Sequence, residues 1–285
     1  MVKNIIMTDP NNVLRAGISP CPNDTYIFGA WVLGLVDDVP GFRTRFEWED
    51  VQTLNEAAGK SGLTLIKVSA ATAVRLGGDF VILESGGAFG LEHGPKLVVQ
   101  SEFKGAPGRI AVPGMDTSAY ALLRAAIKND FLPVPMRFDY IPAAVKQGEV
   151  DAGLLIHESA LVYASQGLKL YLDLGGWWSE ISGGLPIPLG CIVARRGESR
   201  PAPDEINSAI IRSIDYARHK PHDIWPLIAS LARETGEDVL SRHIQAYVNE
   251  FSREMGSMGR QALDLLRDVC PHPDKAGMNI FSVPG

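Results

Sequence analysis

Short apolar runs alternate with amphipathic stretches along the first two-thirds of the chain. Val13–Ile18 reads as a strand, Asp24–Gly34 as a helix, and Arg43–Trp48, where polar and apolar side chains take turns, as a half-buried strand. Val51–Lys60 is an expected short helix, Leu63–Val68 a buried strand, and Ser69–Leu76 an Ala-rich helix capped by Ser69. Phe80–Leu83 and Lys96–Gln100 are expected strands on either side of a glycine-rich loop, Gly86 to Gly94. A second unit opens at Gly108. Its expected strands are Arg109–Val112, Val134–Tyr140, Ala152–Ile156, Lys169–Asp173 and the apolar Pro188–Ala194. Its expected helices are Ser118–Lys128, Ala143–Gly148 and His157–Ser165. After Pro201 the pattern becomes wholly helical, with candidates at Asp204–His219, Asp223–Glu234, Glu237–Glu250 and Met255–Val269.

Strands alternating with helices imply a mostly parallel α/β sheet. The first unit and the terminal helices are too unequal to stand as separate domains. The expected layout is therefore discontinuous. Residues 1–105 and 195–285 form a large lobe, residues 106–194 an inserted small lobe, and crossings near Gly105–Gly108 and Cys191–Arg195 the hinge. This layout resembles the two-lobed periplasmic binding protein-like (type II) fold. Such folds have mixed sheets flanked by helices and a ligand cleft between the lobes.

Composition narrows the function. A formal charge of −6 without any Lys/Arg cluster argues against nucleic acid as a partner. No run approaches the roughly 20 apolar residues of a membrane span. Met1 to Asn12 lacks the apolar core of a signal peptide, so a cytoplasmic enzyme is expected. The three cysteines, Cys21, Cys191 and Cys270, are too scattered for a metal pattern and fit a reducing compartment. The oligomeric state stays open.

The most informative segment is Ser19-Pro20-Cys21-Pro22-Asn23-Asp24-Thr25, a rigid polar turn between a strand and a helix. Asn23, Asp24 and Thr25 are capping residue types, and such a turn builds a pocket for a small anionic molecule. His157 closes an apolar strand and precedes Glu158-Ser159. The carboxyl end of a strand faces the ligand crevice, and a helix start disfavours the imidazolium, so the ring is either a neutral general base or a structural cap. Asp116-Thr117-Ser118-Ala119 is either a carboxylate cradle or an N-cap. Lys67-Val68-Ser69 offers a hydroxyl, with Lys67 either a ligand-binding or a surface charge. Ser85-Gly86-Gly87-Ala88 lets the backbone come close to a flat ligand or serves as a flexible link, and Leu185–Gly190 is a stiff apolar wall. Trp177 and Trp178 read as packing residues. Cys21, between two prolines and without a partner motif, reads as a small packed side chain rather than a nucleophile.

Taken in order, these segments resemble the 1,4-dihydroxy-6-naphthoate synthases of the futalosine route to menaquinone. The likeness runs from about Leu14 to Phe251 and includes Tyr247-Val248-Asn249. Tyr26 stands where phenylalanine is common in that family. The resemblance implies the bilobal fold and a carbon–carbon lyase acting on a small anionic substrate, cyclic dehypoxanthinyl futalosine, with dihydroxyacetone as the second product. His157 would be the base. Ser69, Thr117 and Ser118 would hold substrate oxygens, with Lys67, Ser85, Gly86 and the Asn23–Thr25 segment nearby. An aromatic product supplies driving force, so no metal or redox cofactor is expected. The rival readings are the chorismate dehydratase of the same pathway, a solute-binding protein without chemistry, and a hydrolase using Cys21.

Overall fold

Val13–Ile18 (β1) pairs in parallel with Arg43–Trp48 (β2) on one side and with Leu65–Ser69 (β3) on the other. The computed structural model describes residues 12–91, 93–197, 200–233 and 236–270. Every residue of β3 is buried. Its alternating side chains enter two apolar clusters, Ile66 and Val68 on one face and Leu65 on the other, as in a strand covered on both faces. The long strand Ile187–Arg195 (β11) runs antiparallel to β3, to Phe80–Ile82 (β4) and to Ala88–Gly90 (β5). The first sheet thus has the order β2-β1-β3-β11-β4, with β5 also on β11.

The second sheet comprises Lys96–Gln100 (β6), Arg109–Val112 (β7), Leu132–Pro135 (β8), Ala152–Leu155 (β9) and Leu168–Asp173 (β10), in the order β10-β6-β9-β7-β8. It too is mixed, antiparallel from β10 to β9 and parallel from β9 to β8. Helices Pro22–Val32 (α1), Val51–Ala57 (α2) and Ala70–Ala73 (α3) serve the first sheet. Ser118–Ala126 (α4), Ile141–Lys146 (α5), Ser159–Val162 (α6) and Leu174–Ser182 (α7) follow. Pro203–His219 (α8), Pro221–Leu231 (α9), Glu237–Tyr247 (α10), Glu250–Arg253 (α11) and Gly256–Val269 (α12) close the chain. Ile27 and Phe28 of α1 pack with Ile206 and Ile210 of α8 on β1, each fully buried side chain contributing about 1.5–3 kcal/mol. Among the described residues no helix is long and apolar enough to cross a membrane.

The sheets divide the chain at other points than the sequence led us to expect. β6, placed with the large lobe, pairs with β9 and β10 of the second sheet. β11, assigned almost entirely to the inserted lobe, is part of the first sheet. Helix α7 was not expected; Asp173 caps it by accepting from the amides of Gly175 and Gly176, and these two glycines hid it. The glycine-rich loop contains strand β5. The stretch read as strand Val134–Tyr140 ends early and passes into a 3-10 turn at Phe138–Tyr140. Helix α1 starts two residues before the expected position because Pro22 takes its first turn and Cys21 its N-cap.

The carboxyl ends of four strands converge. Ser19 follows β1, Ser69 ends β3, the Pro113-Gly114 turn follows β7, and His157 lies just beyond β9. This is the edge at which open α/β sheets bind ligands.

Candidate active site

Among the described residues His157 is the one non-glycine residue with positive φ, at 54°. A left-handed L-residue costs roughly 1–2 kcal/mol. Such a conformation persists where the surrounding structure over-determines it, as at ligand sites. It turns the chain out of β9 and aims the imidazole into the cleft, which the ring lines. The ring meets Phe138 edge-on at 4.9 Å between centroids and stacks on His243 at 5.9 Å. Its Nε2 lies 3.6 Å from Cys21 Sγ. Burial holds the His157 imidazole below the ordinary histidine range; the Glu158 charge opposes this and His243 reinforces it. Desolvation, and not the expected helix start, is what favours the neutral ring here. His157 precedes α6, which is only four residues long.

Behind the ring runs a buried polar chain. Lys67 Nζ sits 2.7 Å from Asp24 Oδ1 and donates to the Gly86 carbonyl at 3.1 Å. Ser19 Oγ donates to Asp24 Oδ2 at 2.6 Å, and Asn23 Nδ2 donates to Asp24 Oδ1 at 2.8 Å. The Asn23 carbonyl oxygen then faces His243 Nε2 at 2.9 Å. His243 Nδ1 lies 3.3 Å from Glu158 Oε2. Burial pushes the Glu158 carboxyl up, but its contact with His243 outweighs this and carries it down to about 2. Lys67 is thus a buried partner of Asp24, not a surface charge.

The facing wall is built from two strand ends. The Ser69 amide donates to Asn55 Oδ1 at 2.8 Å, while Ser69 Oγ accepts from Asn55 Nδ2 at 3.0 Å, which leaves its own proton for a ligand. Thr117 is the N-cap of α4; its hydroxyl donates to the Gly114 carbonyl and accepts from Tyr120 N–H. Ser118 Oγ donates to the Leu189 carbonyl at 2.8 Å and accepts from Ala71 N–H at 3.1 Å, tying α4 to β11 and α3. Those two hydroxyls are committed within the protein. The donors that remain at this wall are the first amides of α4, Ser118 and Ala119, whose residues line the cleft. They form a ready seat for a carboxylate.

Of the residues singled out in the sequence, Asn23, Asp24, Lys67, Ser69, Thr117, Ser118 and His157 share this cleft. Thr25, Ser85 and Gly86 do not line it. Thr25 turns its hydroxyl back to the Cys21 and Pro22 carbonyls. Ser85 is buried; its hydroxyl donates to the Arg253 carbonyl and its amide N–H donates to Asn207 Oδ1. Gly86 has φ +85°, and a Cβ there would fall 2.6 Å from Ile192 Cγ1; it offers only its carbonyl to Lys67. Leu189 and Gly190 line the cleft, as the stiff apolar segment led us to expect. Trp178 is buried and donates to the Leu185 carbonyl; Trp177 packs partly buried on the same core. Sequence reasoning gave no site role to His243, a weaker candidate in the helical tail, or to Tyr247 of the Tyr247-Val248-Asn249 segment; the two rings meet edge-on at 5.0 Å. Their i, i+4 spacing on the buried face of α10 was the available signal.

A family model described as menaquinone biosynthesis matches residues 14–272. The 1,4-dihydroxy-6-naphthoate synthase of Thermus thermophilus is 41% identical over 251 residues, covering 88% of this chain and 91% of the relative. The enzyme of the same name from Streptomyces coelicolor is 36% identical over 259 residues, covering 88% and 90%. Among solved structures, protein AF1704 from Archaeoglobus fulgidus superposes with a TM-score of 0.83 at 35% identity, over 92% of this chain and 97% of that one. The periplasmic aliphatic sulphonate binding protein SsuA from Escherichia coli superposes with a TM-score of 0.63 at 16% identity, over 96% and 97%. The fold is therefore that of the periplasmic binding proteins.

Proposed function

The chain belongs to the menaquinone biosynthesis family, and we propose that its cleft converts cyclic dehypoxanthinyl futalosine to 1,4-dihydroxy-6-naphthoate, releasing dihydroxyacetone. The observation that carries this reading is the strained His157, whose neutral ring lines the cleft. The imidazole takes a proton from a carbon activated by a neighbouring carbonyl. The electron pair left behind drives elimination and ring opening, and the naphthalene ring that forms makes the step downhill. A positioned base of this kind gives about 10²–10⁴-fold acceleration.

The remaining groups orient the substrate. Its carboxylate sits on the Ser118 and Ala119 amides at the start of α4, within reach of the Ser69 hydroxyl. Lys67, Asp24 and Asn23 hold the floor polar and rigid, and the apolar Leu189 and Ile156 flank the flat ring. Closure of the two lobes excludes water while the proton is in transit. A biosynthetic enzyme with a small-molecule substrate fits the cytoplasm.

Two other readings share the fold: a dehydratase acting on chorismate, and a binding protein that performs no chemistry. Incubation of the purified protein with cyclic dehypoxanthinyl futalosine and, separately, with chorismate, followed by mass spectrometry, separates them. Dihydroxynaphthoate from the first substrate and unchanged chorismate are expected. Conversion of chorismate alone, or of neither compound, overturns the proposal.

A further inference from the structure

The buried ring of His243, in the helical tail, carries an arrangement that the chemistry above leaves unused. Its Nε2 faces the Asn23 carbonyl oxygen at 2.9 Å, and that amide cannot be reversed because its nitrogen is already donating to Asp24. Nε2 must therefore carry a hydrogen. Its Nδ1 faces Glu158 Oε2 at 3.3 Å, and both groups are cut off from solvent. Two bare acceptors held that close inside a protein would repel each other, so a proton lies between them. Neither Glu158 Oε2 nor His243 Nδ1 has a hydrogen-bond partner elsewhere among the described residues, so each buried group has only the other, across this 3.3 Å contact, to meet its need. Glu158 is also the chain neighbour of His157, whose ring stacks on His243.

We infer that His243 is a positioning residue for the base: it holds the Glu158 carboxylate through a shared proton and keeps that charge from pairing with His157. The inference rests on His157 being the base. Left alone, a buried carboxylate beside His157 would draw a proton onto the imidazole, and a protonated ring cannot deprotonate carbon. The other charged or titratable groups around His157 are Cys21 at the cap of α1, Asp24 within α1 and Asp50 at the cap of α2. Tyr247 borders His243 from its own helix. None of these reaches Glu158 Oε2 with a hydrogen bond. His243 is thus the group that separates the carboxylate from the base. Asn23 anchors His243 in turn, and its side-chain amide links Asp24 to the same array.

The test is the acid limb of kcat/KM against pH in the wild type, in His243→Gln and in the double variant with Glu158→Gln. In His243→Gln the limb should move to higher pH by about one unit, since an unpaired carboxylate favours the protonated His157. In the double variant, where the charge is gone, it should return toward the wild-type position. A residue that merely filled space would lower the rate and leave the limb in place, and that result overturns the inference. If His243→Gln does not fold, nitrogen-15 imidazole spectra of the wild type decide the matter. Protons on both His243 nitrogens are expected, with the Nδ1 signal lost in Glu158→Gln; a bare Nδ1 overturns the inference. His157→Gln keeps the two readings apart. Retained turnover in that variant removes the base itself, whereas its inactivity beside an unmoved limb in His243→Gln removes only the role of His243.

Discussion

Cys21 Sγ lies 3.6 Å from His157 Nε2, a spacing at which a thiol and an imidazole share a weak hydrogen bond. The same spacing would suit a cysteine–histidine nucleophile, but the electrostatics do not. Burial pushes the Cys21 thiol well above its ordinary range, and the Glu158 and Asp24 charges push it further. With the imidazole held below its own range, the pair stays a neutral thiol and a neutral ring. These directions favour Cys21 as a neighbour that steadies the ring over Cys21 as a nucleophile.

Cys21→Ser, which can still hydrogen-bond Nε2, should therefore retain turnover within about tenfold of the wild type, the scale of one neutral hydrogen bond. Steady-state assays check this. Complete loss in a folded Cys21→Ser protein would revive thiol chemistry.

The pH dependence follows from His157. The base works only when neutral, so kcat/KM should fall as pH drops through its folded pKa. Because that value is depressed, the acid limb should lie below about 6.5, the ordinary histidine value. The same depression makes His157 contribute stability that is present above the unfolded pKa and lost as pH falls through the folded one. A rate profile with its acid limb above pH 7 would contradict the neutral-base assignment.

Lys67 and Asp24 form an ion pair with almost no exposure on either side. Removing one partner strands the other charge, and Lys67→Met should destabilise the protein by about 3–5 kcal/mol. Lys67→Met with Asp24→Asn should lose less than the sum of the single variants, since the stranded charge is gone. Urea unfolding followed by tryptophan fluorescence checks both.

Ser69 and Ser118 look alike in the sequence but should behave differently. Ser69→Ala removes a proton free for the substrate and should raise KM; it also removes one acceptor of Asn55 Nδ2, which keeps the Asp116 carbonyl, so it should cost less stability than Ser118→Ala. Ser118→Ala removes the donor to the Leu189 carbonyl and the acceptor of Ala71 N–H. It should cost about 1–3 kcal/mol in stability. Paired kinetic and thermal measurements distinguish the two.

The legible part of the site was the part carried by short motifs at strand ends, because β1, β3, β7 and β9 each hand over to a turn whose residues follow directly in sequence. His157 and the strand before it could be placed from five consecutive residues. What stayed hidden depends on long-range contact. His243 lies 220 positions from Asn23, and an i, i+4 pair on a buried helix face does not tell which distant residues it will meet. The commitment of the Ser118 hydroxyl was invisible for the same reason, since its partner is a carbonyl 71 positions away, whereas the Thr117 cap, with partners three residues to either side, was one of the two readings open from the sequence. The pairing of β6 with β9 and β10 was not legible, because an apolar run of five residues carries no information about its neighbours. The left-handed turn at His157 gave no sign either, as glycine is the usual marker of positive φ and a histidine stands there instead.

The central claim is that the His157 imidazole removes the proton that starts the reaction. Turnover of cyclic dehypoxanthinyl futalosine by His157→Gln, set beside the wild type with folding confirmed by circular dichroism, tests it most directly. A fall of at least about 100-fold is the expected result; a rate near that of the wild type would contradict the account.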